Sequence, residues 1–214
     1  MALTKYNFNS FDVTPVASNA FAFNSTPNGL TTAASGAMNL ITTNTITSGV
    51  SSSSFTSNID STYDTYLFKF INIHPATDNT HLQMNFSTDS GSNYNVAKTS
   101  THFYAQHNES GADSTLSYNT SGDLAQGTGV QFICRSMGNG NDECASGIFH
   151  LFNPSSSTFV KHFMCRFAKQ TANDKAQENY VAGYGNTTSS IDAIQFSMSS
   201  GNIDAGDICL YGIA

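Results

Sequence analysis

Apolar side chains recur at every second residue through the later three quarters of this chain, a spacing that places them on one face of a β-strand and on no single face of a helix. Leu82, Met84 and Phe86 alternate with Gln83 and Asn85; Phe163, Cys165 and Phe167 alternate with His162 and Arg166; Ile194, Phe196 and Met198 alternate with Gln195 and Ser197. The run Tyr66 to Ile73 is apolar on both faces apart from Lys69 and Asn72, as a central strand would be. Further strands are expected at about 96–107, 129–136, 146–152, 179–184 and 206–213, with turns such as Asp89 to Asn93 between them.

Material for helices is scarce. Glu occurs three times, at Glu109, Glu143 and Glu178, and Leu nine times, whereas Phe occurs 16 times and Tyr nine. Those aromatics suit a pleated, half-buried surface. The expected fold is all-β: an antiparallel β-sandwich or jelly roll of about eight to nine strands. No repeat with a period of 20–50 residues is visible, which argues against a propeller or solenoid.

Residues 1–55 read differently and are expected to form an extended N-terminal arm, with the sandwich spanning 56–214. From Asn24 to Thr56 small polar residues dominate, with a Pro27–Asn28–Gly29 turn signal and a serine run at Ser51 to Ser54. Such a stretch buries too little apolar area to offset its own ordering entropy, so an arm laid on neighbouring subunits is expected. Sheet edges in an aromatic-rich chain need cover, which favours a homo-oligomer, with a trimer suiting a jelly roll.

Charged residues make up 11% of the chain, against roughly 25% in an average soluble protein. Ser, Thr, Asn and Gly supply 91 of 214 residues, so hydroxyls and amides keep the surface wet. A net charge of −7 disfavours nucleic acid as a partner. Lys161, Arg166 and Lys169 are expected as single solvated charges on an outer strand face. No segment approaches the roughly 18 apolar residues of a membrane span, and the N-terminus lacks the apolar core of a secretory signal.

No catalytic, cofactor-binding or metal-binding residues are assigned. There is no GxSxG elbow and no phosphate loop, and an enzyme is not expected. His102 and His107 lie an odd number of residues apart and face opposite sides of one strand; His74 and His81 flank a hairpin loop and could approach each other there. Asp142 and Glu143 fall in a Gly-rich loop, and Asp204 and Asp207 bracket the turn before the last strand; either pair is at best a weak calcium site. Cys134, Cys165 and Cys209 lie in apolar runs and are expected as buried free thiols, while Cys134 and Cys144 could close a hairpin. Carbohydrate binding stays open, with Tyr94 to His107 and Tyr180 to Asn186 as candidate stretches, although an aromatic core with polar outer faces accounts for both. Asn-x-Ser/Thr triplets, including that at Asn85, follow from the composition.

From about Ile59 to Ala214 the chain resembles structural proteins of tailed phages of aquatic bacteria. The resemblance is carried by residues 59–79 (IDSTYDTYLFKFINIHPATDN), 147–163 (GIFHLFNPSSSTFVKHF) and above all 180–213 (YVAGYGNTTSSIDAIQFSMSSGNIDAGDICLYGI). It implies a virion-surface jelly roll whose arm attaches to other virion proteins: a capsid decoration, a head fibre or a tail part, located in the virion and assembled in the host cytoplasm. The alternative is a receptor- or carbohydrate-binding module at a fibre tip.

Overall fold

The computed structural model describes residues 19–23, 30–34 and 37–213. Two compact units divide the chain, 1–39 and 40–214. In the first, strands β1 (Asn19–Phe23) and β2 (Leu30–Ala34) pair antiparallel. The Pro27–Gly29 turn signal lies outside the described residues.

The second unit is built on a twelve-stranded antiparallel sheet, nearly barrel-shaped, and the chain contains no helix among the described residues. Its strands are β3 (Met38–Ile46), β4 (Ser52–Phe55), β5 (Thr65–Pro75), β6 (Thr80–Ser87), β7 (Lys98–Asn108), β8 (Ser114–Tyr118) and β9 (Gln131–Met137), followed by β10 (Ala145–Phe152), β11 (Lys161–Thr171), β12 (Lys175–Gly185), β13 (Ala193–Met198) and β14 (Ile203–Ile213). The order β3-β14-β5-β10-β11-β12-β7-β8 makes the larger layer, and β9-β6-β13-β4 the smaller. They join where Met137 of β9 pairs with Thr171 of β11. At the opposite seam the Asn44 amide of β3 donates to Ser53 Oγ (3.0 Å) and to the Ser54 carbonyl (3.3 Å) of β4.

The all-β, antiparallel class is as expected, and each of the nine predicted strands is present. The three further strands of the sheet, β3, β4 and β8, are polar segments. Each lies at an end of a layer and needs only one partner strand, so its sequence carries little apolar alternation. The boundary of the expected arm moves accordingly. Residues 38–55 belong to the sheet, with Ile46 and Phe55 buried, because the core supplies the apolar area that this stretch lacks by itself.

The core lies between the layers and is aromatic. Phe196 of β13 meets Phe70 at 4.9 Å, Phe68 at 5.4 Å, Phe149 at 6.1 Å and Phe55 at 6.3 Å between ring centroids, three of these edge-on within 15° of perpendicular. Phe149 stacks on Phe163 at 5.6 Å. In β5 the inward residues are Tyr66, Phe68 and Phe70, then Ile73 and Pro75: the phase changes at Asn72, whose φ is +50°. The pairing with both neighbours, β10 and β14, shifts register there, so Asn72 is a bulge on a central strand. Gly206 of β14 completes it with φ +117°, and a Cβ there would lie 2.6 Å from the Asn72 carbonyl oxygen.

Because Phe196 joins the two layers, Phe196→Ala is expected to cost about 3–5 kcal/mol. Phe159→Ala, at a 69% exposed position, should stay within about 0.5 kcal/mol of the parent. Urea unfolding of both variants followed by circular dichroism checks the contrast.

Candidate functional site

The inward face of β7, and that of β12 from Lys175 to Asn179, are polar where those of β5 and β13 are aromatic. On β7 the alternation turns Lys98, Ser100, His102, Tyr104 and Gln106 inward, and on β12 it turns Gln177 and Asn179 inward against them. An amide chain connects these groups. His102 Nε2 meets Asn179 Oδ1 at 3.1 Å, Asn179 Nδ2 donates to Gln177 Oε1 at 3.3 Å, and Gln177 Nε2 donates to Gln106 Oε1 at 2.9 Å. Deeper inside, Ser100 Oγ donates to Gln131 Oε1 at 2.5 Å, and Gln131 Nε2 donates to the Gly122 and Phe132 carbonyls. A buried polar group without such a partner costs roughly 1–3 kcal/mol, so the chain of bonds is what makes a polar interior tolerable.

The chain of amides opens into a cleft of about 390 Å³ between β7, β8, β12 and the end of β9. Tyr104, Gln106 and Gln177 form one wall, Asn119 and Tyr118 another, and Arg135 and Lys175 supply charge. Arg135 Nη1 donates to Asn119 Oδ1, its guanidinium lies 5.6 Å from the centroid of the Phe132 ring, and its Nε is buried with no hydrogen-bond partner among the described residues. Burial lowers its pKa, with Tyr104 acting in the opposite sense. Behind it, the Lys169 ammonium donates to the carbonyls of Arg135 and Ser136, and burial brings its pKa down to about 8. Lys175 is paired with Asp113 at 2.9 Å, which lowers the Asp113 pKa.

The reverse faces of the same strands are apolar. Phe103 and Tyr180 stack at 4.8 Å with rings 5° from parallel, and Arg166 lies 5.3 Å above Tyr180 while pairing with Glu178. With Ile148, Met164 and Ala182 they line an open groove of about 300 Å³ on the outside of the larger layer. Phe103, Ile148 and Met164 are 38–51% exposed.

Lys161 and Lys169 are not solvated on an outer face as expected; both point inward and are buried, and only Arg166 of that trio faces out. The cause is the alternation that buries Phe163, Cys165 and Phe167: positions 161 and 169 share their parity. Both ammonium groups are held by carbonyls near the strand ends, Lys161 by that of Thr187 at 3.2 Å. Lys98, also buried, is bound by Asn85 and by the Val96 carbonyl at 2.7 Å, and burial brings its pKa down to about 8.

His102 points inward and is buried and His107 points outward, as their spacing requires. His74 and His81 take separate partners: His74 Nδ1 lies 2.7 Å from Asp204 Oδ1 and its Nε2 3.0 Å from the Gly140 carbonyl, while His81 Nδ1 accepts from the Ser136 N–H at 2.9 Å. Asp204 and Asp207 lie within β14 rather than in a turn before it, since the Asn72 bulge carries the pairing back to Ile203. Asp142 and Glu143 sit in the loop before β10, where Glu143 Oε2 accepts from the Gly140 N–H at 2.6 Å. Among the described residues no three His, Cys, Asp or Glu side chains are grouped to hold a metal ion.

All four cysteines are free, and Cys134, Cys165 and Cys209 are buried. Burial pushes the Cys134 thiol up to about 11 and raises Cys165 as well. Of the two stretches considered for carbohydrate, 94–107 contributes Tyr104 and Gln106 to the cleft, whereas Tyr180 of the second faces outward. Arg135, Lys175 and Gln177 were not singled out by sequence; the parity of β9 and β12 was the only available signal. No family model matches the chain, and no curated protein or solved structure matches it.

Burial lowers the pKa of His81 and His102 below the ordinary 6.5, so both favour the neutral form in the folded state. Their stabilising contribution is complete above about pH 6.5 and is lost as pH falls toward the folded pKa. At His74 burial acts downward, but Asp204 and the Gly140 carbonyl outweigh it and the pKa is raised, so its contribution is present in acid and lost as pH rises above about 6.5. Urea unfolding is therefore expected to show a shallower acid loss in His102→Gln, by up to about 1.4 kcal/mol per pH unit. His74→Gln should cost more at about pH 5 than at about pH 8.

Proposed function

We propose that this chain is an exterior structural protein of a phage particle, a capsid decoration, head fibre or tail part, which acts by packing against copies of itself and against other virion proteins. The observation that carries this reading is the apolar outer face formed by Phe103, Tyr180, Ile148 and Met164 across four adjacent strands. Contiguous apolar surface of this kind on an otherwise polar sheet marks a protein contact. The few ions elsewhere suit a surface wetted by hydroxyls and amides. The edge strand β8 adds exposed Leu116 and Tyr118 beside the same face. A homotrimer is the expected assembly, and the segment before β3 the expected attachment element.

Two measurements test the reading. Mass spectrometry of purified particles should find the chain among the structural proteins; recovery only from infected-cell lysate would remove the reading. Light scattering of the full-length chain should give a trimer mass. The double variant Ile148→Lys, Met164→Lys should be monomeric yet still folded by circular dichroism, since both side chains are already solvent-exposed. A parent chain that stays monomeric at all concentrations would refute the role of this face.

A further inference from the structure

We infer that the cleft at the end of β9 binds a carboxylated saccharide, with Arg135 taking the carboxylate and Gln106 and Tyr104 the ring oxygens. The inference concerns the inward face alone and holds whether or not the chain belongs to a particle.

Charge points first to an anion. The chain has 15 acidic and only eight basic residues, yet the cleft is lined by two cations, and no Asp or Glu lines it. A third cation, Lys169, backs it through the carbonyls of Arg135 and Ser136. Of the two lining cations, Lys175 is already neutralised by Asp113, whereas Arg135 has no carboxylate partner among the described residues. With Lys175 paired, one cation of the lining remains for a ligand, which matches a monoanion better than a phosphate dianion. The planar guanidinium of Arg135, which lines the cleft, matches a carboxylate in shape and charge.

Hydrogen-bond direction then points to a ligand rich in acceptors. In the chain His102–Asn179–Gln177–Gln106 each amide accepts from the previous group and donates to the next. Gln106 accepts the last bond through Oε1, so its NH₂ donors remain for the cleft. The Tyr104 hydroxyl beside Arg135 extends this donor row, and the Tyr104 ring offers a face for sugar C–H groups. Amide and tyrosine walls around a single guanidinium describe a hydroxylated ring carrying one acid group. At about 390 Å³ the cleft is at the small end of the roughly 300–1,000 Å³ of small-molecule sites, which suits one or two sugar rings.

The test is calorimetric titration of the full-length chain with three probes: digalacturonate, its dimethyl ester and acetate. Digalacturonate should bind at least about tenfold more tightly than either of the others. Arg135→Gln should remove that preference while leaving the weak affinity for the ester. Equal binding of acid and ester would overturn the assignment of the carboxylate, equal binding of acetate would reduce the site to a simple anion site and overturn the saccharide, and no binding of any probe would overturn both. Arg135 also covers Phe132 and bonds Asn119, so its variant can lose the fold. Gln106→Met keeps the strand and the side-chain length and should weaken digalacturonate binding about fivefold or more; unchanged affinity in this folded variant would also overturn the proposal.

Discussion

Phe196 meets four aromatic rings from β4, β5 and β10, and this contact between the layers is the one on which the remaining architecture depends. It places β13 over the middle of the larger layer, with β6 and β4 on its flanks. The rings bury large apolar areas in edge-on geometries that suit their quadrupoles. With that half of the interior filled by Phe55, Phe68, Phe149 and Phe163, the Asn72 bulge can change the phase of β5 without opening the core. Ile73 and Pro75 simply take over the inward positions.

The other half of the interior is held by polar groups. Each inward residue of β7 between Lys98 and Gln106 is polar, and the burial of Ser100, His102 and Gln106 is offset by bonds to Gln131, Asn179 and Gln177, although His102 Nδ1 finds no partner among the described residues. The three buried lysines obey the same rule, each ammonium ending on backbone carbonyls or an amide. A network of this kind runs in one direction, and its last donors emerge where the layers part. The cleft is thus the solvent end of the network that stabilises the interior.

The same strands serve two surfaces. Phe103 faces outward and Tyr104 inward; Tyr180 faces outward and Asn179 inward. An assembly made through the outer apolar face would leave the donor-lined cleft open, because alternation separates the two by the thickness of one sheet. A contact surface and a ligand surface can coexist on one short segment without competing for residues.

The nine apolar strands, their antiparallel class and the inward parity of Phe163, Cys165, Phe167 and Phe196 were legible in the sequence, because a period of two is a local property of the chain. The opposite facing of His102 and His107 was legible for the same reason. Parity also implied the buried lysines at 161 and 169, but charge argued the other way, and sequence alone did not show that carbonyls would receive them. Strands β3, β4 and β8 were not legible: their residues become strand by pairing with neighbours distant in sequence, not by any pattern of their own. The same holds for the cleft. Arg135, Gln106, Gln177 and Asn119 come from β9, β7, β12 and the loop after β8, and only the pairing of β12 with both β11 and β7 brings them to one place. Local alternation determined which side of each strand a residue occupies; the long-range pairing of strands decided which residues it meets there.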